Sequence, residues 1–168
     1  MFDKTGESQK MGETAEFIFE ILAKNKNLKV EKATEKQQKS HIDFILTNSN
    51  NKKYFIDVKA CKKTSRNSKK TNEKLVWIEF KNVAGHKGWL YGASDFIAFE
   101  REEDFVIVPR TALVNLCERL VNTSNKVFLV EDALYKIYNR KGRKDEISLI
   151  KMDDILNNMK FSIWQKSK

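Results

Sequence analysis

The sequence predicts an α/β fold, a central mixed β-sheet flanked by helices. Three observations carry that expectation. An apolar stripe at helical spacing opens the chain, at Ala15, Ile18, Phe19 and Leu22. Short runs with strand alternation follow, such as Val76, Ile78 and Phe80 set against Trp77 and Glu79. A second amphipathic stripe, Leu113, Leu116, Cys117 and Leu120, comes after the strand-like runs 95–100 and 105–108.

Taken in order, residues 1–10 are polar and expected to fray. Gly12 to Lys24 reads as a helix, stopped by Asn25-Lys26-Asn27. Leu28 to Ala33 reads as a weak strand and Thr34 to Ser40 as a polar loop. Strands are expected at 41–47 and 53–60. The linker Asn48-Ser49-Asn50-Asn51 tolerates turn conformations, so the two should form a hairpin. Residues 61–74 are lysine-rich and aperiodic. A strand over 75–81 precedes Val83 to Tyr91, a short helix or a structured loop. The strands 95–100 and 105–108 meet at a charged turn, and Pro109, the only proline, ends the second. Thr111 is placed to cap the next helix, which runs to about Val121. Strands over 126–130, 134–139 and 146–151, a short helix from Asp153 and the tail Phe161-Ser162-Ile163-Trp164 complete the chain. The segment Arg140-Lys141-Gly142-Arg143-Lys144 reads as a basic hairpin tip.

At 168 residues the chain fits a single domain, 1–168. Hydrophobic residues make up 40%, enough to build a core rather than a disordered chain. The net charge of +9 favours polyanions, nucleic acid ahead of an anionic membrane, although it also serves mere solubility. Two cysteines form no disulfide framework and no apolar leader or spanning run is visible, so a cytoplasmic protein is expected. Two histidines make a histidine-rich zinc site improbable.

The chemistry concentrates at Asp57-Val58-Lys59, which ends the apolar run Tyr54-Phe55-Ile56. Strand alternation puts Asp57 and Lys59 on one face and Ile56 and Val58 on the other. An acid on an apolar strand is costly to bury without a partner. Asp43, in Ile42-Asp43-Phe44, lies on the preceding strand and offers a second inward acid. Two such carboxylates suit a hard divalent cation.

This order resembles the PD-(D/E)XK nuclease superfamily, whose core is a helix, a strand with an aspartate, and a strand with Asp or Glu, one residue, then Lys. Here the motif reads Ile42-Asp43 and Asp57-Val58-Lys59, with isoleucine in the place of the family's proline. Gly12-Glu13-Thr14-Ala15-Glu16 looks like the Gly-x-x-Ala-Glu opening of resolvase-like members and restriction endonucleases. The resemblance covers residues 11–60 well and 75–100 loosely. It implies a restriction-endonuclease-like core and a Mg²⁺-dependent (or Mn²⁺-dependent) DNA endonuclease. The metal would be held by Asp43, Asp57, the Val58 carbonyl and Glu16, with Lys59 at the attacking water. A structure-directed, Holliday-junction-resolvase-like enzyme or one from a mobile element fits the small size, and two symmetric cuts would favour a homodimer.

Glu13, Glu20 and Glu79 remain alternatives to Glu16 as third carboxylate, with a solvated face as their simpler role. His41 shares the expected strand with Asp43, where packing is its commoner role than phosphate contact. His86, Trp89 and Tyr91 suit base stacking or, more often, core packing. DNA contacts are expected from Lys62, Lys63, Arg66, Lys69 and Lys70, and from Arg140, Lys141, Arg143 and Lys144. The competing functions are a catalytically silent nucleic-acid-binding protein on the same fold, and a module using its basic face against an acidic protein.

Overall fold

The computed structural model of the protein describes residues 6–65 and 68–167. Its elements in chain order are α1 (Glu7–Asn25), β1 (Lys29–Lys32), α2 (Glu35–Lys39), β2 (Phe44–Thr47), β3 (Lys53–Lys59), β4 (Leu75–Lys81), β5 (Phe96–Glu100), β6 (Asp104–Pro109), α3 (Arg110–Leu120), β7 (Asn122–Val127), β8 (Lys136–Tyr138), β9 (Glu146–Lys151), α4 (Met152–Asn158) and β10 (Ser162–Gln165). Short 3-10 turns lie at Trp89–Tyr91 and Val130–Asp132. The fold is α/β, with mixed sheets flanked by helices. The chain divides into two compact units. The first runs to Cys61, resumes over Ala93–Pro109 and ends with the segment from Phe161; the second comprises Lys62–Gly92 and Arg110–Lys160.

The first unit holds a six-stranded sheet in the order β1-β2-β3-β5-β6-β10. Strand β3 is antiparallel to β2 and parallel to β5, which makes the sheet mixed. The hairpin between β2 and β3 forms as the sequence indicates. Asn48 Oδ1 accepts the N–H groups of Asn50 and Lys52, both at 2.9 Å, and Asn51 turns the chain at φ 62°. Helix α1 lays Ala15, Phe19, Leu22 and Ala23 against Phe44, Leu46, Ile56, Val58, Ala98, Phe105 and Ile107. Phe19 is the centre of this core, with ring centroids 5.8 Å from Phe44, 5.5 Å from Phe105 and 5.1 Å from Trp164.

Three boundaries differ from expectation for local reasons. Helix α1 starts at Glu7, so residues 7–10 are helical rather than frayed. They are polar because they lie on the solvent side, with Gln9 reaching Glu13 one turn on. Thr34 to Ser40 is not a loop but contains α2. Thr34 and Gln37 form a capping box, Gln37 N–H to Thr34 Oγ1 at 3.2 Å and Thr34 N–H to Gln37 Oε1 at 2.9 Å. Strand β2 begins at Phe44, because His41 takes a left-handed conformation, φ 63°. His41 therefore shares no strand face with Asp43.

The second unit holds a four-stranded sheet, β4-β9-β8-β7. Val76, Ile78 and Phe80 of β4 are buried, as their alternation predicts. Helix α3 buries Leu113, Leu116 and Cys117. It begins directly after Pro109, so Thr111 lies inside its first turn and is not the cap. Strand β7 starts at Asn122 rather than Lys126. Its polar sequence hides it because it is an exposed edge strand.

Candidate active site

Backbone hydrogen bonds fix Asp43 before its side chain acts. Its N–H donates to the Ile56 carbonyl at 2.8 Å and its own carbonyl accepts from Ala33 N–H at 2.9 Å. Asp43 thus extends the pairing of β2 with β3, one residue ahead of Phe44. Its Oδ2 accepts from the Val58 N–H at 2.8 Å. On β3, alternation sends Ile56 and Val58 into the α1-facing core and Asp57 and Lys59 to the opposite face. Asp57 is 2% exposed. Lys59 Nζ lies 3.1 Å from Asp57 Oδ1, and Asp57 Oδ2 has no hydrogen-bond donor among the described residues.

The electrostatics follow from burial and from acids placed side by side. Burial pushes the Asp57 carboxyl up to about 8; the Lys59 ammonium opposes the shift, and Asp43 reinforces it. Glu16, half-buried on α1, is raised to about 7, first by burial and then by the charge and hydrogen bond of Asp43. Lys32 and Lys59 pull Glu16 the other way. Two carboxyls hydrogen-bond only when one carries a proton. Asp43 is therefore the shared neighbour of two acids that release their protons only at raised pH, and Asp57 Oδ2 is satisfied only when a proton or a cation arrives.

The expected residues Glu16, Asp43, Asp57 and Lys59 are brought together. The alternatives are drawn elsewhere. Glu20, half-buried, pairs with Lys24 at 2.8 Å, and Glu13, exposed, accepts from Gln9. Glu79, in the second unit, accepts from Trp89 N–H at 3.2 Å. Trp89 is buried, and Tyr91 packs edge-on to Phe80 with its hydroxyl donating to Glu118, so both serve packing; His86 is exposed.

One neighbour is missed by sequence reasoning. Lys32 stands opposite Phe44 in the β1–β2 register, beside Ala33, which bonds Asp43. The signal was available only as a lysine ending a weak strand, which is no signal without the register.

The basic residues differ in what they can offer. Lys69, Lys70, Lys141 and Lys144 are exposed, and Lys62, Lys63 and Arg143 are half-buried. Arg66 lies outside the described residues. Arg140 does not present its charge at a hairpin tip. Its side chain is 11% exposed, and its guanidinium pairs with the buried carboxylate of Asp145.

Among the described residues, no three His, Cys, Asp or Glu side chains form a ready-made metal cage. Magnesium does not need one. It takes one or two carboxylates and completes its shell with water and substrate phosphate. Asp43 and Asp57 offer hard oxygens, and the donorless Asp57 Oδ2 is an atom such an ion would satisfy, so the residues present fit a divalent cation. Searches against family models, curated proteins and solved structures found no match. No helix among the described residues is long and apolar enough to cross a membrane.

Proposed function

We propose that the chain is a magnesium-dependent endodeoxyribonuclease of the PD-(D/E)XK type, with Glu16, Asp43, Asp57 and Lys59 as its catalytic set. The supporting observation is a run of neighbouring carboxyls, Glu16 beside Asp43 and Asp43 beside Asp57, with Lys59 at Asp57, in an order along the chain that resembles that superfamily. A buried acid with an unsatisfied oxygen is expensive among the buried apolar side chains of Ile97, Phe99 and Val106. A structural role does not account for keeping it, whereas a cation site does.

Asp43 and Asp57, with the Val58 carbonyl, would hold the ion, and Glu16 would complete its surroundings through Asp43. The ion, when bound, supplies neutralisation of the phosphate and a more acidic water. Lys59 is held by Asp57 with its ammonium at the carboxylate, 3.1 Å away. There it orients an attacking water and stabilises negative charge developing on the phosphate oxygens. Val58 N–H fixes the Asp43 carboxylate, so one oxygen is oriented before any ligand binds.

Plasmid and branched DNA, incubated with Mg²⁺, with Mn²⁺ and with EDTA, give the test. Cleavage with either metal, abolished by EDTA and by Asp57→Ala, is expected. No cleavage with either metal, while Asp57→Ala binds DNA as the unsubstituted protein does, establishes a silent binding protein instead.

A further inference from the structure

The second unit carries a basic surface that contiguous sequence does not reveal. Lys81, at the end of β4, is paired in register with Glu146 of β9 and bridges antiparallel to Lys87. The turn between them is held firmly. Asn82 Oδ1 accepts the N–H groups of Ala84 and His86, both at 3.0 Å, and Asn82 N–H donates to the His86 carbonyl at 2.8 Å. Gly85 takes φ 84° there, and the Lys144 side chain passes 3.4 Å from where a Cβ on Gly85 would stand. Lys126 comes from β7 and reaches the same carboxylate as Lys81: Glu146 Oε2 lies 3.2 Å from Lys126, and Oε1 lies 3.8 Å from Lys81.

Residues far apart in the chain thus gather exposed lysines on one side of this unit: Lys81 and Lys126 at Glu146, Lys87 bridged to Lys81, and Lys144 beside Gly85 of the turn between them. A single carboxylate cannot neutralise four ammonium groups, so the surface keeps a strong positive field. Holding like charges together costs free energy in the free protein. A polyanion relieves that cost and releases its own counterions on binding. The lysines ride on a sheet and a hydrogen-bonded turn, so their spacing is fixed before a ligand arrives.

We infer that Lys81 and Lys126 at Glu146, together with Lys87 and Lys144 at the adjoining turn, form a docking surface for the phosphate backbone of duplex DNA. The inference deepens the nuclease reading by naming a substrate-holding surface on the second unit. It does not need the first unit to be catalytic. The surface meets phosphates, so binding is independent of base sequence. Lysines serve here as point charges rather than as planar forks. Glu146 limits the field and keeps Lys81 and Lys126 in place.

The test measures duplex DNA affinity against salt for the full chain, Lys87→Gln/Lys144→Gln, Glu146→Gln and Asp57→Asn. The double variant alters exposed side chains, and its thermal unfolding is checked alongside. Its log–log salt slope should be shallower by about 2, roughly one unit for each phosphate that is no longer neutralised. Glu146→Gln removes the one acid and should bind more tightly. Asp57→Asn should keep the full slope and lose cleavage. A folded double variant with an unchanged slope overturns the surface, as does weaker binding by Glu146→Gln. Equal loss of binding to phosphatidylserine vesicles, with DNA binding intact, also overturns it in favour of a membrane. Cleavage by Asp57→Asn at the unsubstituted rate sinks the nuclease reading alone and leaves the surface to be judged by the slopes.

Discussion

Replacing Asp57 with asparagine should stabilise the metal-free protein at neutral pH. Asp57 is 2% exposed and its carboxyl is raised from 3.8 to about 8, chiefly by burial. Between those values the folded chain holds a proton that the unfolded chain releases. Stability therefore falls as pH rises through that window and levels off above about 8. Each pH unit inside the window corresponds to about 1.4 kcal/mol. From pH 4 to pH 7 the ceiling is about 4 kcal/mol, a large share of the ~5–15 kcal/mol that holds a typical domain. Asparagine has nearly the same shape and does not titrate. Urea unfolding of both proteins in EDTA, at intervals from pH 4.5 to 8, measures the difference between them. That difference should grow with pH in favour of Asp57→Asn, by about 2–4 kcal/mol at pH 7. Added Mg²⁺ should narrow it, because ligand binding to the folded unsubstituted protein contributes about 2.7 kcal/mol at a hundred times Kd. A difference that stays flat with pH refutes the picture of a proton-holding buried acid. Stabilisation of both proteins equally by Mg²⁺ refutes Asp57 as its ligand.

Lys59→Met should reduce single-turnover cleavage by about 10²–10⁴-fold and leave DNA affinity within a few-fold, since one positioned acid–base or electrostatic group is removed; loss of binding in step with cleavage would make Lys59 a docking residue instead. Phe19→Ala should destabilise the protein by about 3–5 kcal/mol in urea unfolding, because Phe19 is fully buried among Phe44, Phe105 and Trp164. A cost under about 1 kcal/mol would mean that this aromatic core is not formed. Arg140→Met should cost about 3–5 kcal/mol in urea unfolding by leaving the Asp145 carboxylate buried without its cation. A neutral effect on stability would return Arg140 to the set of DNA-contact candidates.

The first unit is legible where a short-range pattern and burial coincide. Ala15, Phe19 and Leu22 read as a stripe because they face a core, and Ile56 against Asp57 reads as alternation because β3 has an apolar face. Thr34 to Ser40 reads as a loop unless one local signal, the Thr34–Gln37 capping box, is given its weight. His41 misleads because a left-handed residue looks in sequence like the first residue of a strand. The second unit is hidden for a topological reason. Its two stretches are separated by Ala93–Pro109, which supplies two strands to the other sheet, so no composition break marks the boundary. The basic surface around Glu146 is hidden in the same way. Charge runs are visible in a sequence, but Lys81 and Lys126 meet at Glu146 only through strand pairing, and Lys144 comes beside Gly85 only in the folded chain. Arg140 shows the converse error: it stands in a basic run, yet its charge is taken by Asp145.

Asp43 and Asp57 connect the site's cost to its use. The Asp43 backbone is bound to Ile56 of β3 and Asp57 is paired with Ile97 of β5, so neither can swing away to relieve the crowding of acids. The side chains around Asp57 on its face of the sheet include Ile45, Ile97, Phe99, Val106 and Val108, all buried, so bulk water gives the carboxyl little relief in the metal-free protein. Relief must come as a proton, as Lys59, or as an external cation. The proton is scarce above about pH 8, and Lys59 reaches only Oδ1. The remaining demand is for a small, hard positive charge at Oδ2, and its strength should rise with pH as protons leave. Mg²⁺ affinity, measured by calorimetry from pH 6 to 9, should therefore increase across that range with fewer protons released per ion at the upper end. An affinity independent of pH would break the link between the buried acid and the ion.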